Sequence, residues 1–304
     1  MSATVFQIAK FNFQIQLGAM KAHLPGCIAG QDPLPLHDFR VANRRTRTAL
    51  KTFQPLFPQD TYSRFKKDFK WIQKKTNRVR DLDVYLAQYP DYKKRVQKNF
   101  RKYLTPLQAY IENQRQSAHE DLVVVFQSER FVKTFSDWEE LLNSGVLNEN
   151  PVSVEDGQEY GCRRIVKRYQ KLRRSGQKLT LKTPPKKFHS FRIKIKQLRY
   201  VMEFFNTESN EQFSELRRSL KLAQDDFGAY QDADVQVKAL REFTAELYSQ
   251  GVSLDTLLAI GQLLGSLSRK QKKRKKKCLK QTRWLTSDLT ARKFQQCYQY
   301  PVDS

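Results

Sequence analysis

Hydrophobic residues recur every three or four positions along most of the chain, separated by Lys, Arg, Gln and Glu. This spacing places apolar side chains on one face of a helix. The strict alternation typical of strands is almost absent, and Gly and Pro number only 11 each among 304 residues. The pattern therefore predicts an all-α protein built from amphipathic helices.

Turn-forming residues predict where the helices are interrupted. Breaks are expected at 24–35, 55–58, Pro90, 143–153, 175–187, 206–210 and 248–253. Gly, Pro, Asn and Ser concentrate at most of these places, and they favour turns over helix interiors. The breaks divide the chain into about eight helices.

Two segments of the sequence occur twice, in the same order. HDFRVANRRTRTALKTF (37–53) aligns without a gap with HSFRIKIKQLRYVMEFF (189–205), 152 residues later. DFKWIQKKTNRVRDLDVYL (68–86) aligns with SLKLAQDDFGAYQDADVQV (219–237), 151 residues later. An offset close to half the chain length predicts an internal duplication.

The duplication suggests how the chain is organised. We predict that 1–150 and 151–304 each form a helical bundle, joined near Pro151. The two bundles are expected to pack about a pseudo-twofold axis, as one domain that covers 1–304.

The chain is strongly basic, with 56 Lys and Arg against 31 Asp and Glu and a formal net charge of +25. Such an excess repels itself unless an anion is bound, so we expect a polyanionic partner. Nucleic acid, an acidic membrane surface and a phosphate polymer would each satisfy the charge. Composition alone does not choose among them.

The basic residues of the first repeated segment lie on one helical face. His37, Arg40, Arg44, Arg47 and Lys51 follow the spacing i, i+3, i+7, i+10, i+14, which is a narrow stripe. The second segment repeats the stripe with His189, Arg192, Lys196 and Arg199. A single charged stripe is more often only a solvated face. Its duplication instead favours a binding role, and the pseudo-twofold arrangement would bring both stripes to one shared groove.

A histidine begins each stripe, and two interpretations are open. A neutral imidazole could simply hydrogen-bond at a helix N-terminus. Alternatively, Arg40 and Arg44 disfavour protonation of His37 until an anion binds. In the second case we expect anion binding to strengthen as the pH falls toward about 6.

No sequence pattern of a known catalytic or metal site is present. We find no H-E-x-x-H, E-x-x-H, G-x-S-x-G, Walker or Rossmann motif, nor the E-x-E-x-K pattern of triphosphate tunnel enzymes. The four cysteines form no C-x-x-C pair and are predicted to be reduced thiols in a cytosolic protein. We therefore expect no catalytic residue, no metal site and no cofactor.

Two acidic pairs stand out, Asp81 with Asp83 and Asp232 with Asp234. They could be ligands of Mg²⁺. We favour helix N-capping, because each pair is expected to open a helix, where carboxylates accept bonds from free backbone N–H groups. A third interpretation is that they orient the basic side chains by ion pairing.

Two further segments bear on location and partners. The longest uncharged apolar stretch, 256–268, is too short to span a bilayer, and the N-terminus lacks the features of a secretory signal. We therefore predict no membrane span and a cytoplasmic protein. The run Arg269–Lys280 holds nine Lys or Arg in twelve residues. It is interpreted either as a nuclear localisation signal or nucleic-acid-binding arm, or as part of a structured terminal helix.

The paired segments resemble the CHAD family, the conserved histidine α-helical domains. HDFRVANRRTR is similar to the family's H-x-x-R-V-x-x-R-R motif, and FRIKIKQLRYVMEFF after His189 to its K-x-L-R-Y-x-x-E motif. RDLDV and QDADV fall where the family has R-D-x-D-V and D-x-D-V. Two positions depart from the pattern: Thr46 replaces an apolar residue, and Asn77 replaces a glycine that Gly228 keeps in the second copy.

The resemblance implies two four-helix bundles around a basic central groove that binds inorganic polyphosphate without catalysis. By motif match it assigns binding to His37, Arg40, Arg44, Arg45, Arg47, His189, Arg192, Lys196 and Arg199, and less directly to Lys51, Lys194 and Tyr200. It also suggests association with polyphosphate granules.

Two other functions stay open at this stage, a helical nucleic-acid-binding protein and an enzyme of polyphosphate metabolism. Neither basic stripe carries an aromatic residue, whereas non-specific single-strand binders combine a basic groove with aromatic side chains that stack on bases. This favours a phosphate polymer over nucleic acid.

Overall fold

The computed structural model describes residues 3–205 and 211–298, without the side chains of 211–213. In this part of the chain eleven α-helices are present, and no strand is formed beyond one isolated bridge between Thr4 and Asp156. The helices are α1 (Val5–Ala29), α2 (Pro33–Thr52), α3 (Gln59–Lys75), α4 (Asn77–Lys94), α5 (Thr105–Gln127), α6 (Glu129–Asn143), α7 (Gly157–Gly176), α8 (Pro185–Phe204), α9 (Glu211–Ser249), α10 (Leu254–Thr286) and α11 (Asp288–Tyr298). The all-α prediction is confirmed, but there are more helices than the predicted eight.

Most predicted breaks match the ends of helices, and one does not. The breaks at 24–35, 55–58, 143–153, 175–187 and 248–253 overlap the interruptions between helices, while 206–210 lies outside the described residues. Within 24–35 the chain is interrupted only at 30–32, because α1 continues through Pro25 to Ala29. The break at Pro90 was wrong, because α4 continues through Pro90 to Lys94.

Contacts from α5 explain why α1 does not end at Pro25. Arg115 donates to the Gly30 carbonyl oxygen at 2.6 Å, and His119 Nε2 lies 3.0 Å from the Cys27 carbonyl oxygen. The helix ends only at Gly30, whose φ of 67° is the left-handed conformation that favours glycine. Tertiary contacts thus offset the hydrogen bond that Pro25 removes.

Side chains in the preceding loops fix several helix starts. Thr4 forms a reciprocal capping box with Gln7 at α1, and Asp32 accepts from the Leu34 N–H at α2. Asp156 accepts from the Glu159 N–H at α7.

The acidic pairs do not cap helices, contrary to the capping prediction. Helix α4 begins at Asn77, so Asp81 lies beyond its first turn. Asp232 lies in the middle of α9, a continuous helix of 39 residues. No free N–H groups are available at either position, because the backbone is already hydrogen-bonded within the helix.

The apolar core forms two clusters, and each contains residues from both halves of the sequence. In the larger one Trp138 packs edge-on against Phe13 and Phe69. The same cluster includes Phe205 and Phe294 from the second half. The smaller cluster joins α4 and α5 to α9 and α10. The halves are therefore packed into shared cores, while the repeat boundary at 150 stays a prediction.

The two helices that carry the basic stripes correspond closely. Helices α2 and α8 each contain 20 residues, and both begin with a proline. Helix α8 begins and ends 152 residues after α2, which is the offset that aligns 37–53 with 189–205. The helices contact each other, so the stripes come close together. Cys27, Cys162 and Cys278 are free thiols, as predicted.

Candidate anion-binding groove

Helices α2 and α8 line two adjoining cavities of about 490 Å³ and 420 Å³. The first is lined by Arg44, Arg47, Thr48, Leu50, Lys51, Tyr62, Lys66, Gln73, Asn77, His189, Arg192, Ile193, Lys196, Gln197 and Tyr200. The second is lined by His37, Arg40, Arg44, Arg80, Asp81, Val84, Tyr85, His189, Arg192, Lys196, Gln231, Asp232, Val235 and Gln236. Because four residues belong to both, the cavities form one groove, here called the central groove. The shared residues are Arg44, His189, Arg192 and Lys196.

The central groove has a large excess of positive charge. Six Lys or Arg side chains line the first cavity, and no carboxylate is among its lining residues. In the second cavity only Asp81 and Asp232 oppose the cations. Positive charge confined in a concave, partly dehydrated site attracts anions more strongly than the same charge on an open surface.

Two guanidinium groups in the groove have donors left unused. The Nε atoms of Arg44 and Arg192 are buried and find no hydrogen-bond partner among the described residues. A buried donor without a partner costs free energy. An anion in the central groove would supply the missing acceptors.

Burial and crowding lower the pKa of the titratable cations. For Lys196 the pKa falls to about 7, because of burial first and the neighbouring Arg44 and Arg192 second. Burial also lowers the pKa of His37, with Arg80 adding to the effect. The pKa of His189 is lowered by burial, with Gln231 opposing and Arg192 adding to the shift. A bound anion would reverse these shifts by favouring the charged forms.

The two carboxylates of each acidic pair lie in different environments. Asp81 and Asp232 line the second cavity, and partial burial raises the pKa of both in spite of nearby arginines. Asp83 is buried and pairs with Arg115 Nε at 3.0 Å. Asp234 is also buried and accepts from Lys238 at 2.8 Å and from Gln271 at 2.7 Å. Only the first member of each pair therefore faces the groove.

Arg40 lines the second cavity but is held by protein partners. Its Nη1 donates to the Thr76 hydroxyl at 2.6 Å and to the Gln73 carbonyl oxygen at 3.2 Å, and its Nη2 donates to Asn77 Oδ1 at 2.9 Å. Asn77 is the position where the family motif has glycine. Arg40 thus joins α2 to the junction between α3 and α4.

The structure does not bring Arg45 and Arg199 into the groove. Both pair with Glu203, Arg45 at 2.9 Å and Arg199 at 3.1 Å. Their guanidinium carbons lie 5.3 Å and 5.7 Å from the centre of the Tyr200 ring. Tyr200 does line the first cavity, whereas Lys194 lines neither cavity.

Several groove residues were not identified from the sequence. Arg80 lines the second cavity close to His37, and it was recognisable only as the neighbour of Asp81 in the RDLDV motif. Lys66 lies on α3, just before the second aligned segment begins. Helix α9 places Gln231 and Gln236 in the second cavity; Gln231 was recognisable only as the first residue of QDADV, and Gln236 follows that motif.

The basic run Arg269–Lys280 forms the middle of α10 rather than a terminal arm, and α11 follows it. Cys278 is buried in the larger core cluster, and the Lys275 ammonium lies 5.2 Å from the centre of the Phe188 ring. Arg274 donates to the Ala229 carbonyl oxygen. The run is therefore part of a structured helix.

Within 3–205 and 211–298, no helix has both the length and the apolar character needed to cross a bilayer. In the same part of the chain, no group of three or more His, Cys, Asp or Glu is arranged to hold a metal ion.

Comparisons with known proteins address the family directly. A family model described as the CHAD domain matches residues 13–241. The crystal structure of the CHAD domain from the plant Ricinus communis is similar, with a TM-score of 0.77 and 20% identity over 94% of this chain and 92% of that chain. PptA from Streptomyces chartreusis has a TM-score of 0.70 and 13% identity over 92% of this chain and 99% of that chain. At these identities the two likenesses show the fold alone, and no curated protein matches the sequence. Because the family model covers most of the sequence, the chain belongs to the CHAD family.

Proposed function

We propose that the protein binds inorganic polyphosphate in the central groove and does not act on it chemically. The observation that carries the proposal is the first cavity, where six cationic side chains converge without a carboxylate. The unused Nε–H groups of Arg44 and Arg192 add specific hydrogen-bond donors for phosphate oxygens to this general attraction. Guanidinium groups suit phosphate because their planar donors can bind two oxygens at once.

A phosphate polymer fits the groove better than nucleic acid does. Two aromatic residues, Tyr62 and Tyr200, line the first cavity, but only 5% and 4% of their surfaces are exposed. The Tyr200 ring lies against Arg45 and Arg199, and the Lys66 ammonium lies 5.1 Å from the centre of the Tyr62 ring. These rings therefore offer no free platform for base stacking. The family resemblance independently implies polyphosphate as the ligand.

The decisive experiment is competition between polyphosphate and nucleic acid at several salt concentrations. Labelled long-chain polyphosphate would be displaced with unlabelled polyphosphate, single-stranded DNA or RNA at equal phosphate concentration. We expect polyphosphate to compete far better. Efficient displacement by nucleic acid would instead support the rival function. The same samples, incubated with Mg²⁺ or Mn²⁺ and run on gels, should show no shortening of the chains.

A variant locates the binding site. Replacing Arg44, Arg192 and Lys196 with alanine should weaken binding by about a thousandfold, since each of the three lost contacts between charged groups contributes roughly 1.5 kcal/mol. Arg40 is left intact because it holds the α3–α4 junction. The control replaces three exposed lysines of the basic run, Lys272, Lys273 and Lys276, and removes the same charge. Equal losses in both variants would contradict a site in the central groove.

The location of the protein follows from the ligand. We expect it in the cytoplasm, concentrated at polyphosphate granules where cells contain them. A fluorescent fusion carrying the three groove substitutions should lose that concentration while the unsubstituted fusion keeps it.

A further inference from the structure

Helix α7 presents a basic face beside the rim of the central groove. Arg164, Arg168 and Lys171 follow the spacing i, i+4, i+7 and so share one side of the helix. Lys51 and Lys66 line the first cavity, and the charges of Arg168, Lys171 and Lys66 all act on Lys51, adding to burial in lowering its pKa. Arg164, Arg168 and Lys171, here called the α7 basic face, therefore continue the charge of the groove beyond Lys51.

Helix α7 is attached firmly to the end of α2. Arg168 Nη2 donates to the Thr52 hydroxyl at 2.9 Å, and the Tyr160 hydroxyl donates to the Thr52 carbonyl oxygen at 2.7 Å. Arg164 Nη2 donates to the Tyr160 hydroxyl at 2.7 Å, and its guanidinium lies over the same ring. The two guanidinium groups are therefore held in place before any ligand arrives, which lowers the entropic cost of binding.

Carboxylates pair with two other arginines of α7 but not with this face. Arg163 pairs with Glu155 and Glu159, and Arg173 pairs with Asp288. In the part of the chain that the structure describes, no ion pair involves Arg164, Arg168 or Lys171. Burial first and the neighbouring Arg164 second lower the pKa of Arg168 to about 10, with Tyr160 opposing. The positive charge of this face is therefore not balanced by carboxylates.

The corresponding surface of the first half carries no such charge. At the offset that aligns the two stripes, the counterparts of Arg164, Arg168 and Lys171 are Asn12, Gln16 and Ala19. Asn12 donates to the Phe204 carbonyl oxygen at 3.3 Å, the aligned position of the Thr52 carbonyl oxygen. Helix α1 is thus anchored to the end of α8 much as α7 is anchored to the end of α2, but only α7 carries the positive charge.

Glu203 adds to this asymmetry at the end of α8. It occupies the position that aligns with Lys51, and it is already paired with Arg45 and Arg199. Glu203 offsets part of the charge of those two guanidinium groups and lines neither cavity, whereas Lys51 lines the first cavity. The end of α8 therefore attracts an approaching phosphate less strongly than the end of α2 does.

We propose that a long polyphosphate chain leaves the central groove at one end only, across the α7 basic face. This inference rests on the proposed function, which concerns the central groove alone. It adds a second binding segment on α7 that short phosphate oligomers do not use. Tripolyphosphate carries too few phosphates to contact the paired stripes and the α7 basic face together, so only longer chains gain from both.

The test compares two ligands on one variant. Arg164→Gln with Lys171→Gln removes two charges and leaves the bond between Arg168 and Thr52 in place. The control, Lys272→Gln with Lys276→Gln, removes two exposed charges from α10. Binding of tripolyphosphate and of long-chain polyphosphate would be measured by calorimetry across a range of salt concentrations.

We expect the α7 variant to bind long chains several-fold more weakly and to lose about two from the slope of log affinity against log salt, one for each lost phosphate contact. Its affinity for tripolyphosphate and that of the α10 control for either ligand should stay unchanged. Equal weakening for both ligands, or no weakening beyond the control, would overturn the inference while leaving the central groove intact. Failure of the unsubstituted protein to bind either ligand would instead overturn the proposed function, and this inference with it.

Discussion

Lys196 makes anion binding in the central groove depend on pH. Arg44, Arg192 and Arg199 all disfavour its charge, and Asp232 is the one carboxylate among the groups that act on it. With a pKa of about 7, much of the amine is neutral at physiological pH in the unbound protein. A bound polyanion favours the charged form, so binding takes up protons and tightens as the pH falls.

Substitution of Lys196 by arginine separates its contribution to the pH dependence of binding from that of the histidines. The arginine of the Lys196→Arg variant stays charged between about pH 8 and about pH 6. The affinity of this variant for polyphosphate should therefore vary less over that range than the affinity of the unsubstituted protein. His37 and His189, whose pKa values are also lowered, would supply the remaining slope. Titration by calorimetry in two buffers of different ionisation enthalpy would count the protons taken up. Identical slopes for both proteins would contradict the role of Lys196.

The residues of the groove were only partly predictable, for a physical reason. Helical periodicity placed Arg40 and Arg44 on one face of α2, and the family motif added Arg45, but neither carries information about what lies opposite each side chain. Arg44 faces the cavities, while Arg45 meets Glu203. That partner lies on another helix and becomes visible only when α2 and α8 are brought together.

At the scale of whole helices, the sequence predicted helical structure more reliably than it predicted where each helix begins and ends. Breaks marked by several turn-forming residues were correct, as at 248–253. The break that rested on Pro90 alone was wrong, and within 24–35 α1 continues past Pro25, so a single proline did not end either helix. The acidic pairs failed similarly, since α9 runs through Asp232 without a break.

Arg40 connects α2 to the α3–α4 junction, so its removal should lower the stability of the fold as well as weaken binding. Arg40→Met loses three hydrogen bonds to the α3–α4 junction, so we expect a loss of about 2–3 kcal/mol in the free energy of unfolding. Arg47→Met, on the same stripe, should weaken polyphosphate binding with a much smaller effect on stability. Urea denaturation of both variants provides the comparison. Equal stabilities would show that Arg40 is only a ligand contact.

On the scale of the whole molecule, the two core clusters decide how the chain can be divided. The smaller cluster joins Tyr85 and Ile111 of the first half to Phe243 and Leu263 of the second. Separation of the halves would expose these side chains to water at a cost of roughly 25 cal/mol per Å².

Cutting the chain tests this directly. Residues 1–150 and 151–304, expressed separately, should be insoluble or lack fixed tertiary structure, because neither can close the smaller cluster alone. Expressed together, they should copurify and regain helical circular dichroism and polyphosphate binding. Two separately soluble, folded fragments would contradict the shared core.

The interleaved clusters also constrain how such a chain can have arisen. A gene encoding one half would produce a polypeptide whose α4–α5 hairpin lacks the surface that α9 and α10 now provide. The partner most readily available is a second identical polypeptide, and two copies related by a twofold axis would complete both cores. The ancestor of a duplicated chain of this shape would therefore have been a homodimer. Fusion of such subunits would allow aligned positions to diverge, as Lys51 in the first cavity and Glu203 outside both cavities do, a difference that identical subunits cannot have.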